Sequence, residues 1–338
     1  INILENQIAS LEKNQNFINL FEDNDIFVGM SYDGPPEIND INRFYHNGKG
    51  TGKDVEQGLK LLTNSKIFSG ILTVIDVNAD PVNTWRYLSQ FEPPIIDFLL
   101  PHANWDNPPT SHRENDYTKY GNWMISIFDD WFNGYKSHIR IRFFEEILYR
   151  LFGHKGSLES LGTEEVGLIT ISSNGAYEQV DTMKSVFPGA QNIGLNVIDN
   201  DLDEVLLQKG VKDRQLGKSG LSSKCQNCKV VNICGGGYYP HRYSQINEFN
   251  NPSVYCEDLF ELITHIENKV ILKDSVINNL NFQIYNFNSI LDTKGSQLIL
   301  SQQLNEKLKL EVKKQKFKNK LTAGAGVVAV LAAVLLVK

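Results

Sequence analysis

The chain has 338 residues, enough to bury one large core or two ordinary ones with a remainder to spare. Hydrophobic residues make up 41% and charged residues 22%, the values of a globular protein. A formal net charge of −7 gives no electrostatic footing for nucleic acid, which is excluded as a partner class. The first residue is Ile1, and no signal peptide or basic presequence follows, so the sequence reads as a fragment or a processed product.

Residues 1–24 read as an amphipathic helix, with Ile3, Leu4, Ile8 and Leu11, then Phe17, Ile18, Leu20 and Phe21, at mostly three- and four-residue steps. Residues 26–31 are a continuous apolar run of strand length, as in parallel strands buried on both faces. Asp33-Gly-Pro-Pro36 then turns the chain at the strand's carboxyl end, where α/β proteins place their ligands. Two more such units follow: helical 55–62 leads to strand 70–76, and helical 82–91 leads to strand 94–100. The alternation predicts a parallel sheet with right-handed crossovers, although three strands neither close a barrel nor make a secure open sheet. Residues 109–160 read as helical, and Tyr117, Tyr120, Trp123, Ile127, Phe128, Trp131 and Phe132 form a stripe expected in the core. Residues 168–172 and 174–177 predict a hairpin with a Ser-Asn-Gly turn, and 201–207 a short helix capped by Asp199 or Asn200. A helix over 258–270 is expected to close the globular part.

All four cysteines fall between Cys225 and Cys256, spaced C-x2-C-x5-C-x21-C. Such confinement suits a zinc ion or an iron–sulfur cluster, both of which are bound by thiolates. It is not the paired-knuckle pattern of a zinc ribbon, and nothing else in the chain points to disulfides or an oxidising compartment. Gly235, Gly236 and Gly237 directly after the third cysteine let the backbone turn sharply beside a bulky inorganic group.

Beyond residue 270 the character changes. Leu300, Leu304, Leu308 and Val312 repeat every four residues, and seven lysines face one acid, Glu311, between Lys307 and Lys320. Residues 321–337 carry no charge, the lower limit for a helix that spans a bilayer, and the lysine block sits where the positive-inside rule would hold it in the cytoplasm. The expected location is therefore cytoplasmic, with anchoring to a membrane through 321–337.

The cysteine run with its glycines, His241-Arg242-Tyr243 and Asn251-Pro-Ser-Val-Tyr-Cys256 resembles the SPASM domain of radical S-adenosylmethionine (SAM) enzymes. It is most similar to peptide maturases that cross-link aromatic side chains into cyclophanes. Ser31-Tyr-Asp33-Gly-Pro with Asn42-Arg43 resembles the family's fourth-strand signature, Asn39-Asp40 standing where His-Asp is usual. Residues 97–108 resemble the sixth strand and the loop after it. The resemblance covers roughly residues 15–270. It implies an α/β fold: 1–160 as the C-terminal part of a partial (β/α)6 radical SAM barrel (strands four to six), 161–270 as the SPASM domain, 271–320 as a lysine-rich helical linker and 321–338 as a transmembrane helix.

What the resemblance implies about chemistry follows residue by residue. Cys225, Cys228, Cys234 and Cys256 match the ligands of one auxiliary [4Fe–4S] cluster; Tyr238 stands where a ligand of another auxiliary cluster is usual. Ser31 and Arg43 match the positions that contact the methionyl carboxylate of SAM, as a hydroxyl and a planar guanidinium can. Asp33, His102, Trp105, His241 and Arg242 are weaker candidates. Neither the C-x3-C-x2-C motif of the SAM-cleaving cluster nor the Gly-Gly-Glu-Pro strand occurs in the sequence. The implied function is part of a peptide maturase that cross-links side chains of a ribosomal precursor peptide. Its expected partners are that peptide, an N-terminal radical SAM half on another chain and a reductant such as ferredoxin or flavodoxin. The rival is a non-catalytic, membrane-tethered SPASM module for binding or electron transfer, or a zinc-stabilised partner of a split enzyme.

Overall fold

The computed structural model describes residues 15–165 and 167–336, and their side chains except at 15, 16, 317 and 319–336. The first part of the expected helix over 1–24 lies outside these residues; the rest is α1 (Gln15–Asp23). The apolar run that follows becomes β1 (Val28–Ser31). The chain bends at Gly34 and Pro35, within the expected turn, and a helix, α2 (Pro36–Asn42), opens directly after it, because a proline at the first helical position costs no hydrogen bond and has its φ already set.

Next come α3 (Gly52–Leu62), β2 (Phe68–Val74), α4 (Pro81–Ser89) and β3 (Ile95–Leu99), close to the predicted spans. The aromatic stripe forms α5 (Lys119–Phe132), whose Tyr120, Trp123, Ile127, Phe128 and Trp131 are buried as expected. Burying Met124, Ile127 and Phe128 alone contributes about 1.5–3 kcal/mol each. A two-residue strand, β4 (Arg140–Ile141), precedes α6 (Arg142–Leu151). It supplies the partner that three strands lacked: the sheet is parallel, in order β1-β2-β3-β4.

The hairpin is present as antiparallel β5 (Thr170–Ile171) and β6 (Ala176–Glu178), and a third strand, β7 (Asn192–Asn196), pairs with β6. The cap of α7 (Leu202–Leu206) is Asp201 rather than Asp199 or Asn200. Glu204 reaches back to accept from the Asp201 N–H at 3.1 Å, which fixes the helix start there. After a chain of short turns, α8 runs from Cys256 to Leu336. It does not stop near 270, since no proline follows Pro252 to break it.

The residues fall into two compact units, one ending at Lys269 and one beginning at Val270. The first holds the sheet and the cysteine region together. Within it, Asp258 of α8 accepts the buried Gly121 N–H at 2.8 Å, and a Cβ at Gly121 would lie 2.5 Å from the Asp258 carbonyl oxygen, so only glycine allows the helices this close. No helix among the described residues is long and apolar enough to cross a membrane; the run expected to do so, 321–337, has no described side chains.

Candidate functional site

The parallel sheet sets the first row of the site. Ser31 pairs in register with Leu72, and Leu72 with Asp97, so a hydroxyl and a carboxylate stand at one level near the carboxyl ends of β1 and β3. Just beyond, the nearly buried Asp33 accepts from the Val74 N–H at 2.9 Å and from Arg43, whose Nε and Nη2 lie 2.6 and 3.0 Å from its two oxygens. The guanidinium fork expected to meet a cofactor carboxylate is thus engaged by Asp33. The Asn39-Asp40 pair has a structural part here. Asn39 is fully buried and donates to Thr51 Oγ1 at 3.1 Å, and Asp40 accepts the Gly52 N–H at 2.7 Å at the start of α3.

Above these strand ends lies a chamber of about 740 Å³, walled by the sheet on one side and by residues 156–162, Leu168, Thr182, Tyr238 and His241 on the other. Asp97 is 4% exposed; Arg142 Nη1 lies 3.2 Å from one of its oxygens, and the other has no hydrogen-bond partner. Burial raises the Asp97 pKa, and Arg142 opposes the rise. His241 is 3% exposed and neither ring nitrogen has a partner. Burial, with His102 and Arg242 adding positive neighbours, pushes its imidazole down to about 3, so it is neutral at ordinary pH. His102 also lines the chamber and is lowered by burial against the opposing charge of Asp181. Tyr238 bonds Thr182 through its hydroxyl and meets His241 edge-on at 5.3 Å. A phenol and an imidazole therefore stand side by side in the chamber wall.

Trp105 serves a different purpose from the one its loop suggested. Its indole N–H donates to the Pro252 carbonyl at 2.8 Å and its backbone N–H to that of Tyr243 at 2.9 Å. Tyr255 adds a bond to the Pro101 carbonyl at 2.9 Å. The loop after β3 is stapled in this way to the cysteine region.

The four cysteines ring a second cavity, of about 240 Å³, with Lys224, Lys229 and Phe260 at its wall. Cys225 sits on a single helical turn (Ser223–Gln226), and the Cys228 N–H returns to its carbonyl at 3.0 Å. Cys234 ends another turn (Val231–Cys234), after which Gly235 takes a left-handed φ of 59°. A Cβ at Gly235 would lie 1.7 Å from the Gly162 carbonyl oxygen, so this position admits no side chain. Arg242 clasps the glycine loop, Nη2 donating to the Gly235 and Gly237 carbonyls at 2.7 and 2.5 Å. The Ser253 N–H bonds the Gly236 carbonyl at 3.0 Å, bringing Cys256 back beside Cys234.

Burial and neighbouring thiols push Cys234 up to about 12, and burial pushes Cys256 up to about 11. These sulfurs become thiolates together only around a cation. Among the described residues no group of three or more His, Cys, Asp or Glu converges on a point to hold a single ion. The sulfurs instead surround a space. Four thiolates lining one space suit an iron–sulfur core or a zinc ion.

No family model matches the chain. In sequence it is similar to the cysteine-type anaerobic sulfatase-maturating enzyme of Clostridium novyi, 23% identical over 250 residues, covering 72% of this chain and 66% of that protein. It is similar also to the cysteine-type enzyme of Clostridium perfringens strain 13, 24% over 280 residues (79% and 71%), and to the serine-type enzyme of Bacteroides thetaiotaomicron, 22% over 269 residues (73% and 63%). The chain spans about two thirds of the length of these relatives. Its fold matches a solved structure of native anSMEcpe with bound AdoMet and the Kp18Cys peptide, with a TM-score of 0.62 and 22% identity over 82% of this chain and 73% of that one. A structure of the same enzyme with AdoMet and the Cp18Cys peptide gives 0.60. Sequence and fold thus point the same way: the chain resembles the radical SAM/SPASM maturases, as its cysteine, Ser31 and Asp97 motifs implied.

Proposed function

We propose that this chain is the substrate-holding and auxiliary-cluster part of a radical SAM maturase that modifies a side chain of a polypeptide. The observation that carries the reading is the pairing of two spaces across the Cys234–His241 segment: a ring of four thiols on one side, and a chamber at the carboxyl ends of a parallel sheet on the other. In this reading Cys225, Cys228, Cys234 and Cys256 hold one [4Fe–4S] cluster. When bound, it would supply a one-electron carrier next to the substrate, reduced or oxidised through a partner such as ferredoxin or flavodoxin. Ser31 and Arg43 would contact the carboxylate of SAM. SAM would supply the radical that takes hydrogen from a substrate carbon. Asp97 and the neutral His241, both buried in the chamber wall with an unpartnered polar atom, offer the peptide hydrogen-bonding groups there.

The finer reading is cross-linking of side chains in a ribosomal precursor peptide, with residues 321–337 tethering the chain to a membrane. The curated relatives support a second substrate class, a cysteine or serine side chain in a sulfatase polypeptide, since that is what they are named for. The test has two parts. Anaerobic reconstitution of residues 1–338 is expected to give about four irons per chain and broad visible absorption; stoichiometric zinc without iron sinks the cluster assignment. Peptides recovered from cells expressing the chain with a full radical SAM partner are then weighed. Loss of two hydrogens with aromatic residues joined supports cross-linking; change confined to a sulfatase cysteine peptide supports the second class.

A further inference from the structure

The second unit is helical over its described length, and its helix exposes a regular apolar seam. Ile277, Ile284, Leu291, Leu298 and Val312 recur at multiples of seven, and Leu280, Phe287 and Leu308 follow three residues after members of that series, counting Asn305 within it. These eight side chains are 47–66% exposed. The spacing of three and four is that of the a and d positions of a coiled coil, and its period of 3.5 is what winds two helices together. We propose that the helix from Ile277 to Val312 forms a parallel, in-register coiled coil with a second copy of this chain.

Three features select a second copy as the occupant. Asn305 holds an a position inside the seam, where its amide is best satisfied by the same residue of a partner at the same height. The flanking e and g positions before the last pair carry Asn281, Gln283, Asn288, Ile290, Gly295, Gln297, Gln302, Leu304 and Lys309, and in a parallel pair Lys309 faces Leu304, so no like charges face each other there. The last flanking pair, Glu311 with Lys316 of the other helix, is of opposite sign in a parallel alignment. Two d positions are polar: Lys294 has a stem long enough to lead its ammonium out of the seam, and Ser301 is small enough to sit within it. Eight apolar side chains per helix, each covering roughly 60–120 Å² on burial, give roughly 1,000–1,900 Å² for the pair, the range of a stable specific interface. The other apolar side chains, such as Ile299 and Leu300, lie off the seam.

The test is the mass in solution of the full chain, by sedimentation equilibrium at about 10 μM under reducing conditions in a mild detergent. The wild type is expected to be a dimer. I284D/L298D places two carboxylates per helix in the seam; it is expected to weaken association by about 1,000-fold or more and to give monomers. All four tryptophans lie before residue 270, so an unchanged near-ultraviolet signal shows that the first unit is still folded. N305I is expected to stay associated but to lose the single dimeric state in favour of larger assemblies. A monomeric wild type, a dimer that survives I284D/L298D, or a sharp dimer in N305I would each overturn the proposal.

Discussion

His241→Phe isolates the energetic cost of the chamber wall. The folded protein keeps this imidazole neutral, with a pKa pushed down to about 3, while the unfolded chain takes up a proton near 6.5. Below 6.5 the unfolded state binds more protons, so stability present at neutral pH is lost as pH falls toward 3, by about 1.4 kcal/mol per pH unit. Between pH 7 and pH 5 this amounts to about 2 kcal/mol. The charged and titratable groups around the ring are His102, Arg242, Tyr238 and Tyr255, all of which remain in the variant. Phenylalanine keeps the ring contacts at 5.3 and 5.0 Å and removes two buried nitrogens without partners, each of which costs about 1–3 kcal/mol. The variant is therefore expected to be more stable at pH 7 and to lose less stability on acidification. Urea unfolding followed by tryptophan emission, at pH 7 and pH 5 with matched metal content, measures both. Equal losses in wild type and variant would refute the argument, because they would mean that His241 is solvated or paired when folded.

Cys234→Ser should lose most of the iron, since three thiolates leave one iron without a protein ligand; iron per chain after anaerobic reconstitution reads it directly. Gly235→Ala should cost at least about 1–2 kcal/mol from the left-handed backbone alone, and more from the collision with Gly162, with iron loss following the lowered thermal midpoint. Residues 1–338 alone should yield no 5′-deoxyadenosine from SAM and dithionite above a metal-free control, because four cysteines given to one fully ligated cluster leave no open iron. If residues 321–337 tether the chain, ending it before Leu321 should move the protein from the membrane pellet to the supernatant after carbonate treatment; equal distribution of both lengths would refute the tether.

The strands that carry the site were legible because they are mostly apolar and largely buried between turn signals; Ile71, Ile96 and Phe98 are almost fully buried. β4 was not, since two residues leave no period to detect, and its place depends on pairing with Ile95 and Ile96. The cysteines announced themselves by spacing, whereas the fork of Arg43 on Asp33 did not. That pair is local in sequence, but closing it needs α2, which the Asp33-Gly-Pro-Pro36 run disguised as a plain turn. The chamber was the least legible part. Asp97 and His241 are ordinary residues in sequence, and only the docking of the cysteine region onto the sheet removes water from both.

That docking is also what gives Tyr238 its meaning. A tyrosine without a partner at this place would leave a hole or an unpaired hydroxyl in a partly buried wall. Here the hydroxyl bonds Thr182, and the ring braces His241, which in turn meets Tyr255 edge-on at 5.0 Å. Tyr255 bonds the loop after β3 and sits beside Cys256 in sequence. The contacts form one chain of packed rings from the hairpin side of the chamber to the last thiol. Tyr238→Ala is therefore expected to lower the iron bound per chain as well as to open the chamber wall; iron content after anaerobic reconstitution reads it, and unchanged iron would show that the two spaces are independent.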